Sequence, residues 1–594
     1  MRCLVVLALL LAPLTAHADD CVPASIWRDG QRDGTVCLAD ATARGLTVID
    51  LSEDWTPPVL GAAPDGTAPG YRSSYLALAQ ERFGDAGVDS RLAGSDRYFE
   101  LFGITPTFDV VQTRLADDAR HACHDAIDDT PLARAPQIVE ESKLVGKERI
   151  ARARALRADL DHERTRRGLA DLDALAATSA YFRRAAARLA TLEAHVAAIR
   201  SVQAHLACDG LLDDRPIAGA YTWQTSNMVN RFQRGSMILP SGRLDAQTRE
   251  AFALGSRERD FRTALRALRE RVIAATGLIE DGTAGGGPGT VLGRALEPEA
   301  TWRVRGHAPL PDAAPDLISP ATEVAARALG WLDARSTRIF LDELRETSPS
   351  RTVAVALPAA PAWHATRMQL DVEIDRGDVW RVRGHSVARR PALLLYATDG
   401  DRRIPLVRWP TTIGGWQKEK VEGDIEERWK ESPVGRRIWR DLYVGPRWLP
   451  PRTTPDKELV RSTDDGYVLA RELFGPSYRA AFGMVAFFHL VEDRHPDRVE
   501  TWDQGIRTHG TGNLVSLGTG VSHGCHRLLG FHVIRLADFV LAHREHVRHG
   551  VTPTYYRRIV RHRGVFPVAI DSAGYRIELV PPLPVNVLPG RIHR

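Results

Sequence analysis

A chain of 594 residues is too long for a single hydrophobic core, and 44% hydrophobic with 26% charged residues describes several water-soluble domains. A formal net charge of only +4 offers no electrostatic case for a nucleic-acid partner. Past the first residues no apolar run approaches membrane-spanning length, so no transmembrane anchor is expected.

Residues 1–18 read as a secretory signal peptide: Arg2, a short apolar run from Leu4 to Leu14 broken by Pro13, then Ala16-His17-Ala18 before Asp19. Export places the mature chain in an oxidising compartment, the periplasm or cell wall. Removing the signal removes Cys3 and leaves five cysteines. Bridges Cys21–Cys37 and Cys123–Cys208 would leave Cys525 as the odd thiol; five reduced cysteines are the alternative, because pairing does not follow from sequence.

Residues 19–133 carry aromatic and Gly/Pro-rich text (Trp27, Trp55-Thr56-Pro57-Pro58, Tyr71, Tyr98-Phe99) without a motif that bears chemistry. They are expected to form an N-terminal module of mixed helix and loop. Residues 134–195 turn rich in Ala, Arg, Leu and Glu; with Leu189 and Leu192 starting a three-and-four spacing, they predict a helical hairpin with a solvated Arg-rich face.

Residues 196–256 predict three short helices parted by glycine turns. Gln203 lies in the first, Gly219-Ala220-Tyr221-Thr222 forms a turn, and Phe232-Gln233 ends the second. Gly242-Arg243-Leu244-Asp245 then leads to Thr248, with Asp245 as an N-cap. This pattern resembles the peptidoglycan-binding domain 1 family. The resemblance implies a small glycan-binding module whose family positions are Gln203, Tyr221, Phe232, Gln233 and Asp245. The loop Arg234–Leu239 departs from the family's Gly-Leu step, and a helical spacer that binds no glycan is the alternative.

Residues 257–350 predict a charged helix over 257–280, a flexible linker over Asp281–Gly289, and a helical pair between Pro320 and Leu344. The glycine run lacks a following Lys-Ser/Thr, which excludes a phosphate-cradling loop. From Thr352 the apolar period becomes two. Strands are expected at 353–357 and 368–375, with a hairpin turning at Asp399-Gly400-Asp401, and the block 351–594 is expected to be β-rich. A helix from Phe531 to His546 and a closing strand at Tyr575–Val580 follow.

Chemistry concentrates in Arg507-Thr508-His509-Gly510-Thr511 and Val521-Ser522-His523-Gly524-Cys525-His526-Arg527. A thiol attacks as thiolate and needs a base or positive charge beside it; a low-pKa Cys525 would label fast near neutral pH, and a buried structural cysteine would not. His509 supplies the base if the chain folds back. Gly524 permits a sharp turn, so the Gly524 and Cys525 amides face a developing oxyanion. Arg527 is placed to hold a carboxylate or carbonyl. Together with Ser432-Pro433-Val434-Gly435 and Pro446-Arg447-Trp448-Leu449-Pro450, these residues resemble the L,D-transpeptidase (YkuD) family over about 353–575.

The resemblance implies Cys525 as acyl-accepting nucleophile, His509 as its base, and Gly510 orienting His509 through its carbonyl. Ser522, His523, Gly524 and Arg527 become the oxyanion and substrate residues. It further implies transfer between peptidoglycan stem peptides to give 3→3 cross-links. A carboxypeptidase outcome, wall-protein attachment and a non-catalytic anchor remain open. No cofactor is expected, and no metal, because His509, His523, Cys525 and His526 crowd closer than tetrahedral zinc sites use and bring no carboxylate base. The expected fold is multidomain α+β, with a helical N-terminal half, its peptidoglycan-binding-like module, and a β-rich catalytic domain.

Overall fold

The structure is a computed structural model describing residues 21–84, 98–212, 216–286, 307–348, 350–380, 389–422, 424–463 and 465–593. The expected signal peptide, Cys3 and Gly287–Gly289 lie outside the described residues. Helices fill much of the N-terminal half and strands dominate the C-terminal region, a mixed α+β architecture.

The chain begins with strands where helix and loop were expected. Pro23–Arg28, Gln31–Cys37 and Thr47–Asp50 join Thr352–Val355 in a four-stranded sheet. Thr352–Val355 runs parallel to the first strand and antiparallel to the third. The period-two text at 352–355 therefore makes a strand, but it serves the N-terminal sheet. Gln31–Cys37 is mostly exposed and polar, so it lacks the alternation that announces a strand. The Cys21–Cys37 disulfide closes this hairpin.

The helical stretch comprises Lys143–Arg166, Leu172–Thr178 and Ala180–Cys208. Ser142, Asp171 and Ser179 cap them, each side chain accepting an amide of the first turn. Leu160, Leu175, Phe182 and Leu189 form the hairpin's own core. The boundary expected between 195 and 196 falls inside the 29-residue helix Ala180–Cys208. Its first half packs in the hairpin, and its last turns supply Ile199, Val202 and Leu206 to the next core. The Cys123–Cys208 disulfide ties that helix to the preceding segment.

Helices Trp223–Gly235 and Ala246–Ala253 complete a three-helix unit, with Phe232 stacked on Phe252 at 3.7 Å. The helix Ser256–Thr276 follows. Asp281–Gly286 is not a free linker. Asp281 accepts the Trp409 indole N–H at 2.7 Å, bridges to Asp316, and Ala284 is buried. Composition shows the glycines but not the distant tryptophan that clamps them.

Nine strands form the large sheet. They are β1 (Gln369–Asp375), β2 (Ala392–Asp399), β3 (Arg402–Pro410), β4 (Gly435–Val444), β5 (Val485–Arg494), β6 (Val499–Gly510), β7 (His526–Leu528), β8 (His546–Arg561) and β9 (Val565–Leu588). Their order is β7-β6-β5-β4-β9-β1-β2-β3, with β8 pairing β9. Contacts are antiparallel except β7 on β6 and β1 on β9. Helix Gly530–His543 packs against the sheet. Its first residue must be glycine, because a Cβ there would meet the Phe102 carbonyl at 2.2 Å. Leu60, Tyr75 and Phe102 share one core with Trp409, Phe487 and Val540, so the N-terminal segment and the sheet are packed as one piece.

Candidate active site

β7 begins directly after the Cys525 turn and runs beside the C-terminal end of β6. Thr508 pairs with His526 and His509 with Arg527, so this parallel pairing brings the two sequence clusters together. The turn is built on Gly524 at φ +107°, where an added Cβ would meet the Glu431 carbonyl at 2.6 Å. Ser522, fully buried, staples it: the Oγ accepts the Gly524 N–H at 3.1 Å and donates to the Cys525 carbonyl at 2.6 Å. Ser432 Oγ donates to the Gly524 carbonyl at 2.8 Å and accepts the Gly414 N–H at 2.9 Å.

These contacts revise the expected roles. The Gly524 amide is committed to Ser522, so it does not face an incoming oxyanion. Among the described residues the Cys525 N–H has no hydrogen-bond partner, which leaves it as the turn's available oxyanion donor. Ser522 is closed off from substrate by its own two bonds.

His509 is 2% exposed. Its Nδ1–H donates to the Gly510 carbonyl at 2.6 Å, which leaves Nε2 as the nitrogen free to take a proton. Burial, with the Arg527 charge nearby, pushes its pKa down to about 3, so the ring is neutral through the working pH range. The half-buried Cys525 thiol donates to the Gly505 carbonyl at 3.7 Å; no hydrogen bond joins it to His509 among the described residues. Burial raises its pKa above the ordinary thiol value, while the Arg507 and Arg527 charges and the Arg507 amide pull it down. On that balance the resting group is a thiol.

Arg527 is half-buried, its Nε is buried without a partner, and its carbonyl accepts from Thr411 Oγ1 at 2.9 Å. His523 stands exposed on the turn. Of the other histidines, His489, His526, His532 and His543 are buried. His526 faces His489 at 4.9 Å between ring centres with both ring nitrogens unpaired, and His489 meets Thr508 Oγ1 at 2.8 Å. Among the described residues no group of three or more His, Cys, Asp or Glu side chains is placed to hold a metal.

Sequence reasoning missed Arg507, which lies in the quoted motif but was given no role, and the Ser432 contact. It also missed the flap hairpin formed by Trp416–Val421 and Asp424–Trp429. The flap's only signal was its dense charge, which reads as a solvated face. A separate cleft of about 480 Å³, lined by Glu53, Asp109 and Arg114 among others, shares no residue with the Cys525 turn.

Of the five residues singled out in the three-helix unit, Gln203, Tyr221, Phe232 and Gln233 are buried and Asp245 is half-buried. Gln203 donates to Ile217 O, Ala220 O and Thr225 Oγ1 and accepts the Gly219 N–H. Gln233 repeats the arrangement with Ser241, Arg243 O, Thr248 Oγ1 and the Gly242 N–H. Tyr221 donates to Gly242 O, Phe232 is in the core, and Asp245 caps its helix through Thr248. These side chains build the unit's frame. In comparisons with known proteins, no family model matches the sequence and no curated protein matches it.

Proposed function

We propose that this chain is an exported cysteine acyltransferase of the L,D-transpeptidase type, working in the periplasm or cell wall on peptidoglycan stem peptides. On this reading the large sheet is its catalytic domain, and the three-helix unit is a peptidoglycan-binding-like module that meets glycan through residues other than the buried Gln203, Tyr221, Phe232 and Gln233. The observation that carries the reading is the parallel β6–β7 pairing. It sets a neutral, carbonyl-oriented His509 beside a turn that presents Cys525, an unpaired amide and Arg527.

The thiol passes its proton to His509 Nε2 as sulfur attacks the carbonyl of the third stem residue. The Cys525 N–H receives the developing oxyanion, a donor worth on the order of 3 kcal/mol. Arg527 holds a substrate carboxylate. His509 then protonates the departing D-alanine amine, leaving a thioester on Cys525. A neighbouring stem's amine attacks that thioester, the C–S bond breaks, and a 3→3 cross-link forms. In this scheme the sulfur is activated in concert with attack, which fits a thiol whose resting pKa is raised.

The test is product analysis after incubation with disaccharide-tetrapeptide. Cross-linked dimer that is lost in Cys525→Ala supports transfer. Tripeptide with free alanine and no dimer points to a carboxypeptidase, and binding to sacculi without any product points to an anchor.

A further inference from the structure

The flap hairpin lies along the nucleophile turn. The Gly415 amide donates to the Ser522 carbonyl at 3.1 Å, and Gln417 Nε2 donates to the Val521 carbonyl at 2.5 Å. Gln417 and Glu419 are two apart on one strand and so share its inner face. Glu419 is 3% exposed, whereas Asp424, Glu426 and Glu427 on the facing strand are exposed. A carboxylate buried there needs compensation. Its partners are Lys430 Nζ at 2.6 Å and Thr453 Oγ1 at 3.2 Å. The Lys430 side chain is 30% exposed and that of Glu419 5%, so Lys430 is the more exposed member of this pair. The Glu419 charge also acts on His523 of the turn, whose pKa is lowered, first by desolvation and further by Arg527 and Lys430, with Glu419 opposing them.

We propose that Glu419 is the acceptor subsite, a carboxylate that takes a primary alkylammonium, with Lys430 as its resident occupant until an acceptor displaces it. The inference rests on the acyl-transfer reading of Cys525. Lys430 displays the ligand class: one –NH3+ on a flexible chain, bound at hydrogen-bonding distance to a buried carboxylate. An acceptor stem brings the same group. Held by Glu419, its ammonium gives one proton to the neutral His523 imidazole and attacks the thioester carbonyl as a free amine. The new C–N bond forms as the C–S bond breaks. The second nitrogen proton passes through His509 to the departing sulfur and restores the thiol, and His523 returns its proton to water. Glu419 thereby sets whether the thioester meets an amine or water.

The experiment compares the full-length wild type, Glu419→Gln and Lys430→Met with disaccharide-tetrapeptide. It reads the acyl adduct by intact mass and the ratio of dimer to tripeptide, with thermal melts confirming that each variant is folded. The expected result is an unchanged adduct in all three. The dimer-to-tripeptide ratio falls at least tenfold in Glu419→Gln and is equal or higher in Lys430→Met, with a lower acceptor KM. A purely structural ion pair predicts that both variants shift the ratio together, and that outcome overturns the proposal. A wild type that forms the adduct and dimer while Glu419→Gln does so equally also overturns it. Absence of any adduct in the wild type sinks the acyl-transfer reading and this inference with it.

Discussion

Replacing Ser522 with Ala separates a staple from a ligand group. The hydroxyl is fully buried and satisfies two backbone groups, the Gly524 N–H and the Cys525 carbonyl. Alanine leaves both unpaired in a site too closed for water to enter freely. An orphaned buried group costs about 1–3 kcal/mol, so the pair costs roughly 2–4 kcal/mol after some relaxation. A domain of this size loses about 2–4 °C of melting temperature per kcal/mol, which gives a shift of roughly 5–15 °C. The freed turn also lets the sulfur wander, so the substitution lowers kcat more than it weakens substrate binding. The assays are thermal unfolding, stem-peptide binding in the Cys525→Ala background, and steady-state turnover. Unchanged stability with weakened peptide binding would refute the staple and return Ser522 to the substrate-facing set.

Three further outcomes follow from the same geometry. Alkylation of Cys525 by iodoacetamide should have its midpoint above the ordinary thiol value, and Arg507→Met should move it higher still by removing a charge that favours the thiolate. A midpoint that falls in the variant contradicts the assignment. His509 and His526 are held down to about 3 in the folded chain against an ordinary 6.5. Between those values the unfolded chain binds more protons, so stability is full above about pH 6.5 and is lost as pH falls toward about 3. Urea midpoints measured against pH should show that slope, and His526→Leu should flatten it. Gln233→Ala orphans the Gly242 N–H and the Arg243 carbonyl and removes one of the two bonds of Thr248 Oγ1, costing roughly 3 kcal/mol. Amide exchange across Trp223–Ala253 should accelerate while the rate of Cys525 alkylation stays unchanged; accelerated exchange at Cys525 itself would show that the unit is not independent of the site.

What could be read from the sequence was the local and periodic part. The hairpin at Asp399–Arg402, the helix near 531–546 and the strand through Tyr575–Val580 follow from turn residues and apolar period, and the structure has all three. Both disulfides are present as the favoured pairing has them, leaving Cys525 as the free cysteine among the described residues. His509 on β6 lies beside the strand that follows the Cys525 turn, a placement that only the β6–β7 register reveals. Long-range partners escaped. Thr352–Val355 reads as a strand from its own text, but nothing in that text says it joins residues near Trp27. Asp281 reads as the edge of a glycine linker until Trp409 is found against it. Gln203 and Gln233 read from spacing as candidate binding residues, but each spends its amide on the frame, the oxygen accepting a glycine N–H and the nitrogen donating to a threonine hydroxyl across a turn. Side-chain commitment, as with Ser522 and the Gly524 amide, depends on angles that spacing does not encode.

The most direct measurement is rapid-quench intact-mass spectrometry of the full-length protein mixed with disaccharide-tetrapeptide, with peptide mapping of any adduct. The account predicts a mass increase equal to the disaccharide-tripeptide acyl group, located on Cys525, formed with release of one D-alanine and absent in both Cys525→Ala and His509→Ala. Turnover of substrate without an adduct at Cys525, or an adduct that persists in Cys525→Ala, would contradict it.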